Sequence, residues 1–232
     1  MSELLHCQDL TKKYGSLTAL DNLNLTVHSG KIIGLLGPNG SGKTTFIKLV
    51  NGLLTATWGS IWIDNKTPGV DSKKVVSYLP DNNFLNSWMT VSQLVELFCD
   101  FYDDFRKDLA FEMFQKLDIE PDRKLKTLSK GNKEKVCLIL IMSRNAKLYV
   151  LDEPIAAVDP AARDYVISTI INNYNPDASV IISTHLIADI EPILDEAIFI
   201  NKGRVVLHKS VDDIREEYGK SVDELFREEF KW

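Results

Sequence analysis

Up to Gly30 the chain sets β-branched and leucine positions among polar ones and breaks them at YGS and HSG, a pattern that predicts short strands. KIIGLLG is an unbroken apolar run entering a glycine-rich stretch, and TTFIKLVNGLL after it carries apolar positions at helical spacing. GSIWIDNK and KVVSYLP predict two more strands. From about Phe84 to Arg144 the period changes. VSQLVELFCDFYDDF, DLAFEMFQKLDI and the stretch from Ser129 to about Arg144 read as helices with no strand among them. Strands return in KLYVLDEP, SVIISTH, EAIFINKG and RVVLHKS, with AARDYVISTIINNY and LIADIEPIL as the helices between them. The charged, amphipathic end, VDDIREEYGKSVDELFREEFKW, predicts one or two peripheral helices.

Strands alternating with helices around a helical block predict an α/β domain with a mostly parallel sheet and an inserted helical subdomain. The expected limits are a core over about 1–83 and 146–209, a helical subdomain over about 84–145 and a helical tail over about 210–232. The 232 residues, 44% hydrophobic and 26% charged, suffice for one sizeable core. A net charge of −6 argues against a general nucleic-acid binder, so no nucleic acid is expected as partner. Cys7, Cys99 and Cys137 are odd in number and widely spaced, which predicts a reducing compartment; Cys99 and Cys137 read as small core residues. MSELLHCQDL does not read as a signal peptide, and runs such as VCLILIM are too short to cross a membrane. A soluble cytoplasmic chain is expected.

Three stretches carry chemistry. Gly37-Pro38-Asn39-Gly40-Ser41-Gly42-Lys43-Thr44 fits G-x-x-x-x-G-K-[ST] between a predicted strand and a predicted helix. Its glycines let backbone N–H groups wrap phosphates, Lys43 adds a point charge and the Thr44 hydroxyl suits Mg²⁺. The site should bind a nucleoside triphosphate. LYVL ends in Asp152-Glu153: one carboxylate at a strand end for the metal, Asp152, and one to orient and deprotonate water, Glu153. In LSKGNKEKV, Ser129 reads as a helix N-cap, yet Lys130, Lys133 and Lys135 crowd a helix start that favours carboxylates. A start so charged suits an external anion.

GPNGSGKTT, LSKGN, LYVLDEP, AAVDP and STH, in this order and spacing, resemble the nucleotide-binding subunit of an ABC transporter, from Tyr14 to about His208. The resemblance implies a P-loop NTPase core with a mostly parallel sheet, an N-terminal antiparallel β subdomain and an inserted α-helical subdomain. It implies ATP and Mg²⁺ as cofactors, and two ATP-binding subunits, identical or related, paired head to tail. It also implies a separate transmembrane permease that holds the chain at the inner face of the cell membrane. Thr45 would join the phosphate loop, and Tyr14 would stack on adenine. Ser129, Lys130 and Gly131 would meet the partner's γ-phosphate, Asp159 would link the two sites, and His185 would contact the γ-phosphate.

Three motifs depart from the family pattern, at four positions. Lys130 and Asn132 replace the first Gly and the Gln of the signature LSGGQ, and Val158 stands where Leu often precedes the Asp. Asp81 takes the place of a glutamine in the loop into the helical subdomain, an acidic group that can still serve metal or water. Asp81 with an SKG signature resembles the branch serving exporters of antimicrobial peptides. Phe84, Leu85, Trp88 and Met89 either line a groove for a helix of the permease or staple the helical subdomain to the core. Two alternatives to an exporter's ATPase stay open: a soluble non-transport ABC ATPase, and an ATP-binding regulatory module with weak hydrolysis.

Overall fold

The computed structural model describes residues 2–82, 84–156, 160–175 and 177–231. The chain opens with two strands of 12 residues, β1 (Glu3–Tyr14) and β2 (Leu17–His28), where the sequence predicts short ones. The physical reason is a pair of left-handed residues. Asp9 (φ 50°) and Asn22 (φ 52°) shift the register, which interrupts the apolar alternation without ending the pairing. Asn24 braces the irregularity, accepting from the Asp9 N–H at 3.0 Å and donating to the Asp9 carboxylate at 3.1 Å.

β3 (Ile32–Leu36) leads through the glycine loop into α1 (Lys43–Val50). β4 (Trp58–Ile63) pairs with the free side of β1, completing an antiparallel sheet of order β2-β1-β4. A single turn, α2 (Val70–Lys73), precedes β5 (Val76–Leu79). The helices α3 (Val91–Phe101), α4 (Lys107–Lys116) and α5 (Lys130–Met142) follow, then β6 (Leu148–Asp152), α6 (Pro160–Asn173) and β7 (Ser179–Ser183). After the short α7 (Ile187–Ile190), β8 (Glu196–Asn201) and β9 (Arg204–Ser210) form a hairpin ahead of α8 (Val211–Tyr218) and α9 (Val222–Glu229).

The second sheet has the order β5-β6-β7-β3-β8-β9, parallel except for β9. Every residue of β3, β6 and β7 is buried, as strands covered on both faces require. One face packs on α1 and the first sheet, the other on the helical block and the tail. In the tail, Phe226 and Phe230 close on Phe199, the first edge-on at 5.5 Å. Cys7 and Cys137 are buried, whereas Cys99, expected in the core, is half-buried at the edge of α3. Among the described residues no helix is long and apolar enough to cross a membrane.

Two arginines fasten the helical block to the sheet. α5 stops at Met142, two residues before the predicted end, and Arg144 leaves the helix to be almost fully buried. Its guanidinium donates to the carbonyls of Val76 (2.5 Å) and Lys74 (2.8 Å), forms a fork with Asp104 (3.0 and 3.1 Å) and stacks on Tyr102. Arg106 donates to the Met142, Arg144 and Asn173 carbonyls, so it supplies partners and positive charge to the carboxyl end of α5. Arg144→Leu should lower stability by about 3 kcal/mol in urea unfolding, because buried carbonyls and a carboxylate lose their donors. Asp104→Asn, which keeps one acceptor, should cost about 1 kcal/mol in the same measurement.

Candidate functional site

The glycine loop sits at the carboxyl edge of β3, in the middle of the parallel sheet, and ends on the first turn of α1. Its glycines answer to space and backbone. A Cβ on Gly37 would lie 2.3 Å from the Ile200 carbonyl, and Gly42, at φ 114°, would place one 2.6 Å from the Ala19 carbonyl. No acidic residue occupies the first turn of α1, so its positive end is open to an anion. The Lys43 ammonium donates to the carbonyls of Gly37 (2.6 Å) and Pro38 (3.3 Å), filling the loop from within. Burial lowers its pKa, while Glu153 and Asp152 pull it upward.

A cavity of about 330 Å³ opens over this loop. Its walls bring together Asn39, Gly40, Ser41, Gly42, Lys43, Thr44 and Thr45 with Asp81, Asp152, Glu153 and, at the rim, Tyr14. Leu17, Thr18 and Ala19 also line it; sequence reasoning missed them, because their place follows from the β1–β2 turn alone. Tyr14 is half exposed, with the Lys12 ammonium 5.3 Å from its ring.

Asp152 ends β6 with only 2% of its surface exposed. One carboxylate oxygen accepts from the Ser183 hydroxyl at 2.9 Å; the other is buried without a hydrogen-bond partner. Burial raises this carboxyl's pKa above the usual range. The Ser183 bond and Lys43 oppose that rise, and Asp81 and Glu153 add to it. A buried oxygen without a donor, in the cavity that Thr44 also lines, is what a hard cation would complete, so the residues fit Mg²⁺. Ser183, in the STH stretch, has no role in the sequence reading; its part here follows from lying in register with Asp152.

Glu153 adopts a left-handed backbone (φ 54°), held by its N–H to the Ser183 carbonyl at 2.8 Å. Strain of this kind in a non-glycine residue concentrates at functional sites. Its carboxylate meets His185 Nδ1 at 3.1 Å. The structure thus joins Glu153 to His185 within one chain, a contact the sequence did not disclose.

The start of α5 stands apart from this cavity. Ser129 is its N-cap and accepts from the Asn132 N–H at 3.2 Å. Lys130 and Lys133 line a second hollow, of about 350 Å³, opposite Asp81, Asp152 and Glu153. Those three carboxylates therefore border both spaces. Cys137 also lines the second hollow, but burial pushes its thiol up to about 12 and makes it inert. A Cβ on Gly131 would meet nothing within 4 Å, so packing inside the chain does not demand a glycine there. Asp159 lies outside the described residues.

The family model described as ABC transporter matches residues 20–156. The chain is 30% identical to the ABC transporter ATP-binding protein YtrB of Bacillus subtilis (strain 168), over 94% of this chain and 75% of that one. It is 27% identical to the lantibiotic transport ATP-binding protein SrtF of Streptococcus pyogenes, over 96% of each. A solved structure of an ATP binding subunit of an ABC transporter, 27% identical, superimposes with a TM-score of 0.87 over 97% of this chain and 98% of that one.

Asp152 generates a test by calorimetry. Its raised pKa means the ionised carboxylate burdens the nucleotide-free fold at neutral pH, and that burden fades as pH falls through the folded pKa. Asp152→Asn should stabilise the nucleotide-free protein by about 1 kcal/mol at neutral pH while abolishing Mg²⁺-dependent ATP turnover. The stability gap from wild type should close on acidification.

Proposed function

Because the chain belongs to the ABC transporter family and is its ATP-binding, ATP-hydrolysing component, we propose that it drives export through a separate membrane permease by pairing with a second such subunit around two ATP molecules. The observation that carries this reading is the division of the phosphate-binding parts. The glycine loop, Asp152 and Glu153 line one cavity, while Ser129, Lys130 and Gly131 stand outside it with open space at Gly131. Each half is then completed by the other half of a second subunit. A link through Asp159 belongs to the same proposal.

In the proposed cycle, the loop N–H groups and Lys43 take the phosphates, so the ammonium exchanges the Gly37 and Pro38 carbonyls for phosphate oxygens. Thr44 and Asp152 would hold Mg²⁺, which when bound neutralises triphosphate charge; Asp81 borders the same cavity and can serve that metal or its water. Glu153 orients the attacking water and accepts its proton, and His185 fixes the Glu153 carboxylate through their hydrogen bond. Once a γ-phosphate is in place, His185 can turn to it, so that the Glu153–His185 contact registers nucleotide. Tyr14 offers its exposed ring to adenine. Differential γ-phosphate contacts in the paired state shift the population toward closure, and hydrolysis removes them.

Trp88 is 62% exposed and Phe84 46%, whereas Met89 is buried and Leu85 is packed against the core. Leu85 and Met89 pack inward as a staple would, while the hollow that both Trp88 and Met89 border, with Gln93, Leu97 and Asp100, suits a helix of the permease.

Light scattering tests the pairing. Glu153→Gln should become a dimer with Mg·ATP and persist as one, while wild type returns to monomer on hydrolysis; a variant that binds ATP yet stays monomeric defeats the two-site reading for identical chains. Trp88→Ala should leave ATPase activity and melting temperature unchanged but cut permease-coupled transport by at least about tenfold, the scale of an aromatic anchor.

A further inference from the structure

On a chain of net charge −6, residues Arg123 to Lys135 hold six cations and one carboxylate. Arg123, Lys124, Lys126 and Lys130 are exposed. Among the described residues, Lys124, Lys126 and Lys130 make no ion pair, whereas many lysines elsewhere do. The backbone fixes where this strip lies. Lys126 N–H donates to the Ser87 carbonyl at 2.8 Å, Leu125 N–H to Met89 at 2.9 Å, and Lys124 bridges Thr90. The strip therefore runs along residues 87–90, which include the exposed Trp88. Asp122 flanks the strip, and Asp118 and Glu120 line a separate hollow with Phe111 and Ile119.

Exposed cations without ion pairs on an acidic chain match the chemistry of an anionic membrane surface. We infer that this strip, centred on Arg123, Lys124 and Lys126, docks on the anionic lipid headgroups of the membrane at which the chain works, an inference that rests on the transport reading above. The sign of the charge selects the occupant. Cytoplasmic loops of membrane proteins carry an excess of Lys and Arg, which the strip would repel, and anionic headgroups attract it. The neighbouring hollow at Trp88, where Glu96 is paired with Lys107 and Asp100 adds a carboxylate, is the surface proposed above for the permease. The strip adds a lipid hold to the one made through the permease.

The test is sedimentation of the whole chain with vesicles of phosphatidylcholine, with or without phosphatidylglycerol, in the absence of nucleotide and permease. Binding should require phosphatidylglycerol and vanish at high salt, since each cation near an anionic leaflet contributes about a fivefold gain in partition. Replacing Arg123, Lys124 and Lys126 together by Gln should lower partition on the order of a hundredfold, with melting temperature and ATPase rate in solution unchanged. Equal sedimentation with both vesicle types, or an undiminished triple variant, overturns the inference. So does a triple variant that keeps vesicle binding but loses assembly with the permease, which would assign the strip to protein. ATP-dependent pairing is read separately by light scattering, so failure of either proposal leaves the other standing.

Discussion

The buried guanidinium of Arg144 is the fastening on which the arrangement of the site depends. It ties the end of α5 to the carbonyls that lead into β5, and Arg106 locks the same helix end to the last turn of α6. α5 is about 20 Å long at helical rise, and its far end presents Ser129 and Lys130. β5 runs the other way from the same knot and delivers Asp81. A cluster of hydrogen bonds at one end of the helix thus sets the distance between the cationic start of α5 and the carboxylates at the sheet edge. Polar atoms perform this task because a greasy contact would hold the helix without fixing its register.

The sheet edge itself is built at a cost. Asp152 is buried with half its carboxylate unbonded, Glu153 sits in a left-handed conformation, and Asp81 adds a third negative group. Lys43 opposes this charge only in part, since burial weakens its own hold on a proton. Such a site favours a visitor that brings cation and phosphate together. The same three carboxylates face the hollow beneath Lys130 and Lys133, so a change of charge on one side is felt on the other.

Much of this was legible in the residues because local constraints carry it. The glycine loop needs small residues at fixed offsets; the apolar strand LYVLD brings its carboxylates to the carboxyl edge of the sheet where it ends; Ser129 caps a helix whose apolar stretch follows directly. What escaped notice depends on contacts between distant segments. Ser183 matters only because β7 lies in register with β6, and Arg144 only because α5 ends against β5. The long β1 and β2 looked like fragments because Asp9 and Asn22 reset the pleat midway. Around Trp88, composition announced apolar character but not its direction, and the fold turns Met89 inward while leaving Trp88 outside.

Gly131 shows how far folding and function can be separated within one chain. No neighbouring atom of the chain approaches the place where its side chain would be. Under the proposed pairing, the empty volume belongs to the phosphate of another molecule. A methyl group there would pass every assay of solubility, melting and nucleotide affinity on the isolated subunit. Under that pairing the glycine answers to the partner molecule and not to the fold of its own chain.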